Sequence, residues 1–469
     1  MQKSVLSEII RALDKKEVRD LNKWLQSPAH NQRQDVVKLF DFLMKNLPND
    51  DEGAEKKRAW KAVFGSKPYD DAYMRQVMYF LLKAIEEYLV FVDLAQDKVQ
   101  YQLALSRIYR ERKLEKAHRQ AYRVGRDNLQ NQPLRDNYFL RNQFFFEQDY
   151  GQLSNVIQNA SANLQETADA LEKWFLAEKL HIAYAMLAHR SVYKTAVYDD
   201  GMLKEILQYC EDKTLLEEPA IAVYYYAYMI TTSPENETYF DQFENLIKIN
   251  GRLFHSTEMR TLYVAALNYC IAKVNRGEST YSTRLFNLYR TGLEMGYLLD
   301  NNLVSRYTFG NAVGAALRTK EYGWAEQFIH DFRHYLDEKE RNSIVNFNQS
   351  RVFFEKGSYE QAQRLLMQFE YDDVHLNIIA KTMLLKIYFE TDELDAFESL
   401  LESLRTYLQR KAVLDATRKA SYKNMISLMK KLLQLNIFAK DQKEAFRELV
   451  QSTSPLAERD WLLKQLSRK

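Results

Sequence analysis

The chain has 469 residues, of which 46% are hydrophobic, and such a length exceeds what one compact core usually serves, so several domains or an elongated repeat array is expected. Only 13 glycines and 7 prolines occur, too few for the turns of a sheet-rich fold, and the composition therefore predicts an all-α protein. The net charge of +2 excludes a uniformly basic or acidic chain, yet it conceals segments of 0 over 1–97, +7 over 98–143, −14 over 144–404 and +9 over 405–469.

The first helix carries Leu6, Ile9, Ile10 and Leu13 on one face. The second carries Val18, Leu21, Trp24 and Leu25 and stops at Ser27-Pro28, because proline disfavours helix in the residue before it. Val36 to Leu43 make a third, Pro48 to Gly53 read as a loop, and Trp60, Val63 and Phe64 end a short fourth before Gly65. A long fifth helix starts at Asp70-Asp71, where carboxylates complement the helix dipole, and places Tyr73, Val77, Phe80, Leu81, Ala84, Ile85, Tyr88, Leu89 and Val92 on its apolar face. Residues 1–95 thus read as an N-terminal helical domain or cap.

From residue 96, helices of 12 to 18 residues alternate with short breaks at Glu111–Lys113, Gln148–Gly151, Asp199–Gly201, Lys356–Ser358 and Thr391–Glu393. Breaks this short force consecutive helices to lie antiparallel as neighbours, so an array of hairpins is expected over 96–410. Thr231–Glu237 and Arg276–Ser282 are longer polar connections. After Leu408 three helices, with Ser454-Pro455 before the last, are expected to close the stack over 411–469.

A small alanine follows four of the breaks, at Ala117, Ala325, Ala362 and Ala396, and the last three are 37 and 34 residues apart. That is the period of stacked helical hairpins. On these residues the chain resembles the tetratricopeptide-repeat superfamily. With the alanines at that family's small position in helix B, Tyr101 and Phe309 fall at its large aromatic position in helix A. Ile108, Phe353 and Ile387 fall at its later helix A core position, and Ile329, Leu366 and Leu400 at its helix B core position. The family's small residue in mid helix A is Leu105, Val313, Ser350 and Leu384 here, and no repeat ends in its proline, so the repeats are divergent. The resemblance implies a right-handed α-solenoid with a concave groove, whose lining maps to Tyr307, Arg318, Phe347, Arg351, Glu355, Lys381 and Tyr388. The phrases Trp24–Asn31 and Trp60–Asp70 also resemble a group of bacterial helical-repeat proteins to which no activity is attached.

The start, Met1–Glu8, does not read as a secretory signal, and the longest apolar run, Ala220 to Ile230, falls well short of the roughly 20 residues that cross a bilayer. Cys210 and Cys270 are too few for a disulfide framework or a four-thiolate zinc site, and they read as buried free thiols of a cytoplasmic protein. No glycine-rich phosphate loop and no nucleophile elbow occur. His330 and His334 have a metal-compatible spacing without a third ligand, and His181 and His189 lie two turns apart. Acid pairs such as Glu217-Glu218 and Asp372-Asp373 read as solvated helix ends. Neither a cofactor nor catalysis is expected.

Arg112, Lys116, Arg119, Arg123 and Arg126 step by four and three along one helix face, with Leu114, Ala117, Ala121 and Val124 expected as the buried stripe beside them. Arg107 and Arg110 on the preceding helix enlarge this into a cationic patch. Arginine forks suit phosphate and carboxylate alike, while most charged stripes are simply solvated. Tyr224-Tyr225-Tyr226-Ala227-Tyr228 spreads rings around a helix, so at least one is expected to be exposed or at a repeat junction and the rest to pack in the core, and the small residues Gly310 to Ala316 predict a close neighbouring helix. The leading expectation is a non-catalytic scaffold that binds a protein or peptide in its groove. The alternative is a nucleic-acid-associated or signalling regulator that contacts phosphate through Arg107 to Arg126.

Overall fold

The computed structural model describes residues 4–46, 55–153, 163–212, 214–368, 374–410, 415–435 and 439–466. The expected loop at Pro48–Gly53 and the acid pair Asp372-Asp373 lie outside the described residues. Among the described residues there are 23 α-helices and no β-strand, as the composition predicts, and no helix is long and apolar enough to cross a membrane. The chain divides into two compact units, Met1–Tyr224 and Tyr225–Lys469.

The first unit begins with α1 (Val5–Ala12), α2 (Lys15–Gln26), α3 (Gln34–Asn46), α4 (Lys56–Phe64) and α5 (Asp71–Gln96). Asp14 caps α2 by accepting from the Lys16 and Glu17 amides at 2.7 and 2.8 Å, while the Glu17 carboxylate reaches back to the Asp14 amide at 2.8 Å. Asp70 caps α5 through the amides of Ala72 and Tyr73. One apolar cluster, from Leu6 to Tyr88, joins these five helices and includes Leu21, Leu25, Leu39, Phe40 and Leu81 with no exposed surface. Each such side chain contributes about 1.5–3 kcal/mol of burial. The two phrases of the bacterial resemblance hold their own turns: Asn31 donates to the carbonyls of Leu25 and Arg33, and the Trp60 indole donates to the carbonyl of Lys67 at 2.9 Å.

Next come α6 (Lys98–Glu111), α7 (Glu115–Gln130), α8 (Asn137–Leu153), α9 (Leu164–Val192), α10 (Leu203–Asp212) and α11 (Pro219–Thr232), the division between units falling inside α11. Two expectations fail here. Helix α8 runs straight through Gln148–Gly151, and α9 is 29 residues long, beyond the expected 18. In the tyrosine run Tyr224 and Tyr225 are buried, in keeping with core packing, and Tyr226 and Tyr228 are half-buried.

The second unit holds α12 (Glu237–Asn250), α13 (Ser256–Asn275), α14 (Thr280–Glu294), α15 (Arg306–Arg318), α16 (Tyr322–Phe332), α17 (Arg341–Glu355), α18 (Tyr359–Met367), α19 (Val374–Glu390) and α20 (Leu394–Arg410). The three expected final helices are α21 (Ala416–Leu433), α22 (Lys440–Ser452) and α23 (Arg459–Gln465). Consecutive helices pack in pairs, α13 on α14, α15 on α16, α17 on α18 and α19 on α20, and the first helices also meet, α15 with α17 and α17 with α19. Ala325 and Ala362, each the fourth residue of a second helix, have no exposed surface, which lets these pairs close tightly.

One corner recurs. Between α6 and α7, α13 and α14, α15 and α16, α17 and α18, and α19 and α20, a single residue takes a left-handed backbone: Lys113, Gly277, Lys320, Gly357 and Asp392, with φ of 58°, 92°, 63°, 76° and 60°. The amide of the following residue then donates to the carbonyl five positions back: Leu114 to Tyr109, Glu278 to Lys273, Glu321 to Ala316, Ser358 to Phe353 and Glu393 to Tyr388, at 2.8 to 3.2 Å. This satisfies a carbonyl that the ending helix would otherwise leave bare and turns the chain back on itself.

Candidate functional site

In the second unit, a cavity of 590 Å³ opens across the first helices of successive pairs, α15, α17 and α19, and α21. Its wall mixes apolar side chains, among them Tyr307, Ile344, Phe347, Leu376 and Ile379, with three guanidiniums, Arg306, Arg351 and Arg418. None of the residues lining it is acidic. Arg306 is neutralised by Glu340 at 2.8 Å, and Arg418 lies 3.4 Å from Asp415 and 2.9 Å from His375 Nε2.

Arg351 differs. Its Nη1 donates to the Gly310 carbonyl at 2.7 Å and to Asn348 Oδ1 at 3.0 Å, both neutral acceptors, and no carboxylate among the described residues lies within ion-pair distance. Burial lowers its pKa to about 10, although the charge of Glu355, beyond ion-pair distance, acts in the opposite direction, so it stays charged at neutral pH. The small face Gly310–Ala316 makes this placement achievable: a Cβ on Gly314 would stand 2.6 Å from Arg351 Nη2. Arg351 also walls a second cavity of 220 Å³, which Arg318 lines. A planar cation of this kind, with Nη2 unpaired beside apolar surface, is built to receive an anionic group on an otherwise apolar ligand.

Of the sequence-predicted groove residues, the structure gathers Tyr307, Phe347 and Arg351 at the larger cavity and Arg318 and Arg351 at the smaller one. Lys381 is half-buried and lines neither, and Tyr388 belongs to the apolar cluster that runs from Phe347 to Leu466. The histidine pair does not share one helix, because α16 ends at Phe332 and His334 sits in a 3-10 turn. Among the described residues, no three metal-capable side chains converge. Cys210 and Cys270 are buried free thiols, and burial pushes their pKa values up to about 11 and about 12, which keeps them protonated and poorly nucleophilic.

In the first unit the basic stripe divides into two layers. Asp149, on α8, accepts from Ser106 Oγ at 2.5 Å and Arg110 Nε at 2.7 Å and pairs with His118 Nε2 at 2.9 Å. Burial pushes the Asp149 carboxyl upward, but these three hydrogen bonds outweigh it and hold the pKa below the ordinary carboxylate range. Glu147, also buried, takes Arg126 at 3.3 Å and the Tyr122 hydroxyl at 3.2 Å. Arg110 and Arg126 are therefore anchors, whereas Arg107, Arg112, Lys116, Arg119 and Arg123 are exposed. Arg107 and Arg110 line a 410 Å³ depression beside α8, separate from the 650 Å³ depression on α7 that holds Lys116, Arg119, Arg123 and Arg126.

The buried stripe of α7 is also rotated from its expected place. Leu114 is 47% exposed and Ala117 and Val124 are half-buried, while Ala121 is buried as expected, together with His118, Gly125 and Leu129. His118 went unnoticed in the sequence because its partner, Asp149, lies 31 residues away, inside what read as a loop.

Compared with family models, with curated proteins and with solved structures, the chain matches none.

Proposed function

We propose that this chain is a non-catalytic helical-repeat scaffold of the tetratricopeptide-repeat type, a right-handed α-solenoid acting in the cytoplasm, whose second unit holds a segment of a partner protein along a groove formed by α15, α17, α19 and α21. The observation that carries this reading is Arg351: a half-buried guanidinium with no carboxylate among the described residues within ion-pair distance, opening onto a 590 Å³ cavity whose lining contains no acid. A partly desolvated cation without a paired carboxylate favours a ligand that supplies one. The recurrence of one corner at 113, 277, 320, 357 and 392 supports the repeat reading, because copied backbone turns accompany copied hairpins.

The test is photo-crosslinking from position 307, whose side chain is 65% exposed at the cavity mouth, in cells of the native source, with mass spectrometry of what is captured. A defined protein segment should be trapped there and lost with Arg351→Glu, which reverses the charge the ligand meets. Crosslinks from 307 that persist unchanged in Arg351→Glu would remove the groove from the account.

A further inference from the structure

Apart from that groove, we propose that the outer face of α7, with the end of α6, binds the phosphodiester backbone of a single-stranded nucleic acid. The two-layered arrangement of charge carries it. Beneath the surface, Asp149 and Glu147 are each less than 9% exposed and already occupied by Arg110, His118, Tyr122 and Arg126. Above them, Arg107, Arg112, Lys116 and Arg123 form no ion pair with any described residue, and Arg119 only approaches Glu115, at 3.9 Å. Two acids of this region are thus withdrawn into the packing, leaving the exposed Glu111, Glu115 and Asp127 against the exposed cations Arg107, Arg112, Lys116, Arg119 and Arg123. Asp127 is the single acid at the depression.

Spacing suits a polyanion. Lys116, Arg119 and Arg123 rise by about 4.5 and 6 Å per step, or about 10.5 Å in all, so consecutive charges of a strand meet consecutive cations. Two of the three are arginines, whose planar forks pair with phosphate oxygens and also stack on bases. The same depression contains an aromatic pair: the rings of Tyr122 and Tyr150 stack at 4.4 Å with 27° between their planes, and burial together with the Glu147 carboxylate raises the Tyr122 pKa to about 12, keeping its hydroxyl a neutral donor. A duplex is read by an element that protrudes into its groove, whereas a recess that holds cations beside half-buried tyrosines accepts a strand whose bases are free to stack. An acidic protein or an anionic lipid surface would match the charge and leave the rings unused.

The experiment is fluorescence anisotropy with a labelled oligothymidylate of about 15 nucleotides, within the usual span of such sites, titrated across roughly 50 to 200 mM salt. The wild-type chain should bind with a steep salt dependence. Arg119→Ala with Arg123→Ala should reduce the slope of log affinity against log salt by about 1.4, since each single-strand phosphate contact contributes about 0.7. Arg119→Lys with Arg123→Lys should keep the slope, and Tyr150→Leu should weaken binding with the slope unchanged. Arg351→Gln should leave all of this intact, so failure of the groove reading would not be mistaken for failure here. Absence of oligonucleotide binding at the lowest salt, an unaltered slope in the double alanine variant, or equal competition by polyglutamate or phosphatidylserine vesicles would each overturn the proposal.

Discussion

In the first unit a carboxylate, Asp149, lies under α6 and α7 with a hydroxyl, a guanidinium and an imidazole upon it; in the second a guanidinium, Arg351, lies between α15 and α17 with two neutral acceptors and no acid. The first is buried and the second half-buried, and among the described residues only the first has an ionic partner within ion-pair distance. A satisfied network fixes neighbouring helices in one arrangement, whereas an unsatisfied cation leaves attraction to be used on something that arrives from outside. The same contrast exists within the second unit. Lys273, as buried as Asp149, has Glu237 at 2.9 Å and Glu278 at 3.1 Å, and it ties α13 to the start of α12 and to the turn before α14.

The comparison can be broken most severely by truncating both groups. Asp149→Ala leaves Arg110, His118 and Ser106 without their acceptor and should cost about 3–5 kcal/mol in urea unfolding, while Arg351→Met removes a charge that has no partner and should be neutral or stabilising. Comparable losses in the two variants would erase the distinction between structural and ligand-directed charge.

A finer contrast uses two glycines. A Cβ on Gly125 would lie 2.4 Å from the ring of the fully buried Phe146, so Gly125→Ala should destabilise by about 1–3 kcal/mol. On Gly314 it would meet only the end of Arg351, a side chain that can swing away, so Gly314→Ala should change stability by less than about 1 kcal/mol while abolishing capture from position 307. Unfolding midpoints and crosslinking yields measured on the same preparations decide it.

The smallest expected effect is on pH dependence. Because the Asp149 pKa is depressed below its unfolded value of 3.8, its contribution is complete above that value and disappears as the pH falls through the lower folded value. The wild-type unfolding free energy should therefore drop more steeply below about pH 4 than that of Asp149→Asn, with both curves parallel above it.

The helices themselves were legible because their cues are local. Ser27-Pro28 ends α2, Asp70 starts α5, and the alanines at 325 and 362 sit where the second helices begin. What escaped depended on partners distant in sequence. Gln148–Gly151 reads as a break because Asp and Gly favour loops, but the Asp149 carboxylate finds three donors on α6 and α7, and the helix continues through it. His118 reads as polar and so as outward, until that carboxylate draws it in and turns α7 by one residue. At the groove, the family pattern selected Arg351 and Tyr388 alike; α15, with glycines at 310 and 314, has room for the first, while Tyr388 packs into the apolar cluster.

Three of the five left-handed corners, at Lys113, Lys320 and Asp392, are made without glycine. The hairpins of this chain therefore share one left-handed corner across three residue types, and a repeat whose punctuation is geometric can lose much of the textual trace of its period while the corner persists. Registering such modules on their turning points, with the donor one residue after and the acceptor four before, would align what residue identity leaves unaligned.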